Sequence, residues 1–529
     1  LKHLTDNYAG TASATGPISS RSVLTCVGSG CSKDALLRSM PFKPDNKALT
    51  STVLGINQAS PALDASRLIN WVRGEDTEAD GDTLAGAEVG KRPGSGTVRG
   101  SVHGDVLHSR PVVIDYGGST GVVVFYGAND GMFRAVNGNQ PKNATDSSKP
   151  MGFCSLANSS DCAISTTDAK GTSTRVAPGG ELWSLVAEEF FPKLQKLYRN
   201  DVQLTLGAAG GSGKPYFFDG APGVYYDGTK AYLFLSARRG GRLLYALDVS
   251  DPTEPKFMWK RTEQSSGFEE MGQTWSQPKV ARIKGHNGPV LIFGAGYDTN
   301  EDAEPPNADI MGRGIFIVDA VTGDLLWRAG PGGTGSGSSC KGSNPCTLAG
   351  MNYAIPGDIT LVDRDFDGLI DRLYAADTGG NIWRVDLQPT GTGAKDTWQV
   401  THFAALGGSG DTKRKFFFPP DVVLTKNYDV VVSVTGDREH PLLSDGAAKI
   451  VNRFYMIKDT FPGMSATGWT TVRDDSSTIL DAPPAGTGPQ LVKVTDTAPY
   501  DGTRPGFYVT LGNAGEAGVK APTTVGGKV

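Results

Sequence analysis

The sequence predicts an all-β chain organised as a modified β-propeller with an inserted helix and loops. A closing strand that ends on aspartate recurs at Asp248, Asp319, Asp386 and Asp459, spaced 71, 67 and 73 residues apart. Short apolar runs lie between Gly, Pro and Asp, the punctuation of short strands and turns. The 529 residues include 70 glycines, well above the usual ~7%, which suits a turn-dense chain. Strands in groups of about four, repeated along the chain, are how a propeller keeps its sheet edges short and protected.

Residues 1 to about 100 carry few long apolar runs and read as an irregular segment that packs on the propeller of residues 101–529. Within it, Leu68, Ile69 and Val72 fall at helical spacing in Ala65 to Arg73, predicting a docked amphipathic helix. The acidic, Gly-broken stretch Glu75 to Thr83 reads as a solvated loop in preference to a second metal loop. The repeating units begin after Val102. In the first, Arg110 to Ile114, Val122 to Tyr126 and Phe133 to Asn137 are strands. A later unit has strands at Gln277 to Ile283, Val290 to Gly296 and Gly314 to Asp319, closing through Ala320-Val321-Thr322-Gly323-Asp324-Leu325-Leu326-Trp327. The 111 residues from Asn137 to Asp248 exceed one repeat, so an insertion is expected around 138–215. In it, Leu182, Leu185, Val186, Phe190, Leu194 and Leu197 suggest an amphipathic helix over Glu181 to Tyr198, bent or broken at Pro192. Phe507 to Leu511 is expected to help complete the last unit, and Gly526 to Val529 reads as a strand cut short. At least five blades are expected between Arg110 and Asp459.

The stretch with the clearest chemistry is Asp363-Arg364-Asp365-Phe366-Asp367-Gly368-Leu369-Ile370-Asp371, flanked by strand-like runs. Side-chain oxygens at positions 1, 3, 5 and 9, a carbonyl at 7 and Gly at 6 are what a hard, oxygen-seeking cation requires. An EF-hand would place Glu at position 12, but Tyr374 stands there. Asp371 is therefore expected to coordinate directly, in a calcium loop between two strands. Four carboxylates repel one another when no cation is bound, and Arg364 and Arg372 are expected to point outward and soften that repulsion. The competing reading is a solvated Asp/Gly turn without metal.

The net charge of −5 gives no basic footprint for nucleic acid or an anionic membrane surface. No apolar run approaches the ~18 residues of a membrane-spanning helix. The chain opens at Leu1 without a signal peptide, as expected of a segment cut from a longer protein. Six cysteines fall in the close pairs Cys26 and Cys31, Cys154 and Cys162, and Cys340 and Cys346. Short intervening loops favour local pairing, which implies three disulfides and an oxidising compartment. Neither Cys-x-x-Cys nor zinc-ligand spacing occurs.

Several segments, met in this order, resemble a known family: Val102-His103-Gly104-Asp105-Val106-Leu107-His108-Ser109-Arg110-Pro111, Glu181-Leu182-Trp183, Tyr216-Phe217-Phe218-Asp219-Gly220, and Ala246-Leu247-Asp248-Val249-Ser250-Asp251-Pro252. They continue with Met271 to Pro278, the acidic loop, Asp377 to Arg384 and Lys520 to Thr524. Together they resemble the type IV pilus biogenesis and tip-adhesin family of PilY/PilC type, from about Leu68 to the end. The resemblance implies a modified seven-bladed propeller with quinoprotein-like blades and an exported protein at the cell surface, on the pilus or fimbrium and associated with the outer membrane. It implies pilus components as partners (minor pilins and the pilus tip), a host-cell or surface receptor, and virulence through adhesion. It also implies that Ca2+ held by Asp363, Asp365, Asp367, the carbonyl of Leu369 and Asp371 controls pilus extension against retraction, and with it twitching motility. An Arg-Gly-Asp motif is not present; the nearest match is Arg73-Gly74-Glu75.

Two other functions compete. The Ala-x-Thr-Gly-x-x-x-Trp closing pattern resembles quinoprotein dehydrogenase blades, but such enzymes resemble one another in a vicinal disulfide, and no adjacent Cys-Cys pair occurs here. A glycan- or protein-binding adhesin is compatible with the pilus reading. His103 and His108, near Asp105, suggest structural hydrogen bonding before metal or acid-base chemistry. Ser109 beside His108 is no nucleophile-base pair, because neighbours in a strand point to opposite faces. No catalytic constellation emerges, and the expectation is a protein that is not an enzyme.

Overall fold

The computed structural model describes residues 21–56, 63–75, 102–140, 162–167, 173–199, 213–303, 307–332, 339–387, 395–408, 410, 413–440, 449–461, 469–474 and 491–525. The acidic stretch over 76–83 and the strand fragment over 526–529 lie outside them. The chain divides into two compact units, Leu1–Lys260 and Arg261–Val529.

In the first unit, strands at Val112–Asp115, Val122–Gly127, Phe133–Asn137 and Glu181–Ala187 form an antiparallel meander, and Val23–Cys26 adds to its edge in parallel. A second sheet is built from Gly223–Tyr226, Ala231–Ser236, Leu243–Asp248 and Lys256–Thr262. Helix α1, Ala65–Arg73, forms where the periodicity predicts it. Asp64 caps its first turn by accepting the Arg67 N–H at 2.8 Å, Gly74 ends it at φ 106°, and Leu68, Ile69 and Val72 are buried.

The expected helix over Glu181 to Tyr198 is corrected. Glu181–Ala187 is a strand, Glu188–Phe190 a single tight turn, and only Phe191–Tyr198 is helical, here α2. All seven residues of the strand are buried. A strand covered on both faces loses the period-2 alternation that would distinguish it from a helix. Pro192 sits in the first turn of α2, where its missing N–H costs nothing, so it starts the helix and does not bend one.

The second unit holds three further sheets. The third sheet has Lys279–Ala281, Val290–Gly294, Ile315–Asp319 and Leu325–Pro331 in antiparallel order, with Cys346–Leu348 added in parallel. The fourth runs through Thr360–Val362, Arg372–Ala376, Asn381–Asp386, Gln399–Ala405 and Ser339–Lys341, with Val472–Arg473 beside it. The fifth has Asp421–Leu424, Asp429–Val434, Arg453–Asp459, Gly506–Thr510 and Val492–Lys493. Five sheets of four or more strands therefore stand among the described residues, short of seven, and Gly506–Thr510 joins the last of them. Apolar side chains fill the space within each unit; Trp327, Trp383 and Trp398 are fully buried in the second, with Trp327 edge-on to Trp398 at 5.5 Å.

The recurring closing aspartates have a local cause. Asp248 Oδ1 accepts the Ser250 N–H, Asp319 Oδ1 those of Val321 and Thr322, and Asp459 Oδ1 that of Phe461, at 2.8 to 3.0 Å. An aspartate that accepts from the backbone two residues on sets the turn leaving the strand. Asp386 breaks the pattern, because its carboxylate is held by two buried arginines.

Disulfides join Cys26 to Cys31 and Cys340 to Cys346. Cys162 is disulfide-bonded as well, and Cys154 lies outside the described residues. No described cysteine is free.

Candidate metal centre

The acidic stretch is the connection of a β-hairpin. Thr360–Val362 and Arg372–Ala376 pair antiparallel with Val362 opposite Arg372, and the Asp371 N–H closes the hairpin on the Val362 carbonyl at 2.9 Å. Two residues turn the backbone through the left-handed region: Phe366 at φ 62° and Gly368 at φ 87°. Glycine adopts that conformation freely, whereas a bulky side chain is strained there. Phe366 gains no packing in return, being 79% exposed. Phe366→Asn is therefore expected to stabilise the metal-free chain by ~1 kcal/mol, measured by denaturant unfolding in chelator; equal or lower stability would contradict the strain.

Inside the turn, one carboxylate oxygen each from Asp363, Asp365 and Asp371 lie within 4.8 Å of one another. Oxygens bound to one calcium at 2.3–2.6 Å can be no more than ~5 Å apart, so the cluster has the right size. Backbone N–H groups hold it open: Gly368 donates to Asp363 Oδ2 at 2.9 Å and Arg364 to Asp371 Oδ2 at 2.7 Å. Asp363 Oδ1 is buried with no hydrogen-bond partner among the described residues. A buried carboxylate oxygen left this way carries a desolvation cost that a cation would relieve. Asp371 is 2% exposed, and its carboxyl is pushed up chiefly by burial and further by the charges of Asp365 and Asp367, against the Arg364 N–H. The donor set is thus all oxygen, crowded and anionic, which fits calcium.

The other two ligands predicted from sequence are placed differently. Asp367 is exposed and outside the three-oxygen cluster, its Oδ1 accepting the Leu369 N–H at 2.8 Å. Leu369 is half-buried at position 7.

The flanking arginines do not both point outward. Arg372 is 1% exposed: its guanidinium donates to Asp386 Oδ1 at 3.1 Å and to Asp429 Oδ2 at 2.9 Å. Arg364 reaches the same Asp429 oxygen at 3.2 Å and donates to the Thr425 carbonyl at 2.6 Å. Arg384 completes the network, with Asp386 Oδ1 at 2.8 Å and Asp459 Oδ2 at 2.5 Å, where the Tyr374 hydroxyl also donates. Three arginines therefore meet three buried aspartates beneath the loop. Sequence reasoning missed Asp429 entirely; the closing aspartates Asp386 and Asp459 were visible as a repeat, but not as partners of arginine.

The two described histidines of the first unit, His103 and His108, make hydrogen bonds. His108 Nδ1 lies 2.7 Å from buried Asp219, and His103 Nε2 lies 3.0 Å from the Tyr126 hydroxyl.

A second charged group lies in the second unit. Lys415 Nζ is 2.6 Å from Glu301 and 2.7 Å from Asp437, and His440 Nδ1 is 3.1 Å from Asp437. Beside them Asp309, buried, accepts from Ala354 N and Thr378 Oγ1. Its carboxyl is pushed up to about 8, first by burial and then by the Glu301 charge. An unfolded aspartate has a pKa near ~3.9, so between that value and about 8 the folded chain keeps a proton that the unfolded chain has released. Stability must fall as pH rises through this window. The His440 pKa, raised mainly by its hydrogen bond to Asp437, has the same sign, its contribution being present below the unfolded value and lost above the folded one. The thermal midpoint is expected to drop by several degrees from about pH 6 to about pH 9, and Asp309→Asn to flatten most of that slope. Equal slopes in calorimetric scans of the two chains would contradict this assignment.

Serial antiparallel sheets of about four strands, one of them opening on an acidic hairpin, are the architecture of a β-propeller protein with a candidate cation loop. Comparison with known proteins gives the kind of propeller. Residues 195–404 match the family model described as the PilY1 beta-propeller domain. The type IV pilus biogenesis factor PilY1 homolog of Xylella fastidiosa is 28% identical over 367 residues, 66% of this chain and 21% of that protein. PilY1 of Pseudomonas aeruginosa is 26% identical over 351 residues, 63% of this chain and 26% of that one. The crystal structure of the Pseudomonas aeruginosa PilY1 C-terminal domain aligns at 18% identity with a TM-score of 0.42, covering 74% of this chain and 70% of that one. Over residues 195–404 the chain is thus similar to a β-propeller domain of PilY1 type. It matches about a fifth to a quarter of the length of these curated relatives.

Proposed function

We propose that this chain is the calcium-responsive propeller of a type IV pilus biogenesis protein exported to the cell surface. In this reading it acts on pilus extension against retraction, and so on twitching motility and surface adhesion, as a binding module and not an enzyme. Its relatives' names support the pilus association, and the proposed seven-bladed ring comes with it. The observation that carries the calcium reading is Asp363 Oδ1, buried and without a hydrogen-bond partner among the described residues, beside the oxygens of Asp365 and Asp371. Asp363, Asp365 and Asp371 would hold the ion, with Asp367 and the Leu369 carbonyl completing the oxygen set. Bound there, calcium supplies two positive charges to a turn carrying four carboxylates. The chain's own residues do the rest: Gly368 and Arg364 N–H groups orient two of the ligands, and the hairpin strands fix the ends of the turn. A loop ordered in this way can switch a surface contact without altering the sheets beneath.

The test is made in cells carrying the whole protein. Asp371→Asn, at unchanged abundance, is expected to change the quantity of sheared surface pili and the twitching zone. Wild-type pili and twitching in that strain would overturn the regulatory reading, and absence of the wild-type protein from sheared pili would overturn the association.

A further inference from the structure

The acidic turn contains one cation of its own, Arg364, at the second position. A guanidinium so close to four carboxylates would be expected to fold over them and compete with a metal ion for the same oxygens. It does not. Its Nη2 donates to the Thr425 carbonyl and its Nε faces Asp429 Oδ2, both in the first hairpin of the neighbouring fifth sheet. Asp429 is fully buried, and the same oxygen takes Arg372, which directly follows the ligand Asp371. One carboxylate therefore holds the arginines at both ends of the turn. Meanwhile the Arg364 backbone N–H stays in the turn, donating to Asp371 Oδ2.

We propose that Asp429 is a positioning residue for calcium: it draws the Arg364 guanidinium out of the acidic turn, leaving the carboxylates of Asp363, Asp365 and Asp371 to the ion. This rests on the calcium reading above and adds a residue that touches no ion. It has a structural corollary. Because Arg364 is tied through its backbone to a ligand and through its side chain to Thr425, ordering of the turn by the ion also steadies the Thr425 to Tyr428 turn. In that turn the Tyr428 N–H in its turn donates to Thr425 Oγ1 at 3.3 Å.

Calcium titration calorimetry on the wild-type chain, Asp429→Asn, Arg364→Gln and the double variant tests this, with thermal scans in chelator to show that each is folded. Asp429→Asn frees Arg364 to compete, so affinity is expected to fall about tenfold. Adding Arg364→Gln removes the competitor, so the double variant should return to within about threefold of wild type. A residue that merely props the fold would not be rescued by deleting its partner. Wild-type affinity in Asp429→Asn, or a double variant as weak as Asp429→Asn, overturns the proposal. Should Asp429→Asn not fold, Arg364→Gln alone decides by hydrogen exchange. Calcium is expected to protect amides 425–428 in wild type and not in this variant, and equal protection in both overturns the proposal. No calcium binding by the wild-type chain would overturn the calcium reading as well, which separates the two failures.

Discussion

Asp371→Asn is expected to weaken calcium binding by at least about a hundredfold, close to ~3 kcal/mol, while Asp367→Ala costs about tenfold or less. Asp371 is buried, contributes an oxygen to the three-carboxylate cluster and accepts the Arg364 N–H at 2.7 Å. Asparagine can still accept that N–H, so the hairpin closure survives while the charge is lost. Asp367 lies outside the cluster and is already turned to the Leu369 N–H. Calorimetric titration of both variants checks the order. If Asp367→Ala proves the more damaging, the turn rearranges on binding more than its metal-free geometry implies.

Arg384→Met is expected to cost about 3–5 kcal/mol of stability, because breaking a buried ion pair strands the partner charges. Arg384 is fully buried and bridges Asp386 to Asp459, on the fourth and fifth sheets, with a further hydrogen bond to the Phe461 carbonyl at 2.9 Å. Methionine fills much of the volume but leaves both carboxylates short of a donor. Against a typical total of ~5–15 kcal/mol, such a loss is a large fraction of the whole. Urea unfolding followed by tryptophan fluorescence measures it, and a loss below ~1 kcal/mol would mean that Arg372 and Tyr374 already satisfy those aspartates.

The strands were legible wherever one sheet supplied its own signal. Val290 to Gly294 and Ile315 to Asp319 are apolar runs ending on Gly or Asp, and the structure pairs them in register, Val290 opposite Asp319. Glu181–Ala187 mimics a helix in sequence because Leu182, Leu185 and Val186 fit helical spacing by coincidence, while its burial depends on Val23–Cys26 and Phe133–Asn137, far away in sequence. The acidic turn was legible because its ligands sit within nine consecutive residues. What surrounds it was not: Arg372 is buried only because Asp386 and Asp429 come to it from 14 and 57 residues further on. Local pattern shows which groups a loop offers, and long-range pairing decides which of its charges remain free.

The account stands on calcium binding by residues 363–371, and the most direct measurement is a calcium titration of the wild-type chain beside Asp363→Asn, with magnesium as the competing ion. Asp363 supplies the buried oxygen that has no hydrogen-bond partner among the described residues, so its neutral variant removes the feature that calls for a cation. The predicted result is saturable binding by the wild-type chain, weaker for magnesium, whose strict octahedron suits so many carboxylates poorly, and lost in Asp363→Asn. No saturable binding by the wild-type chain, or equal binding by both chains, would contradict it.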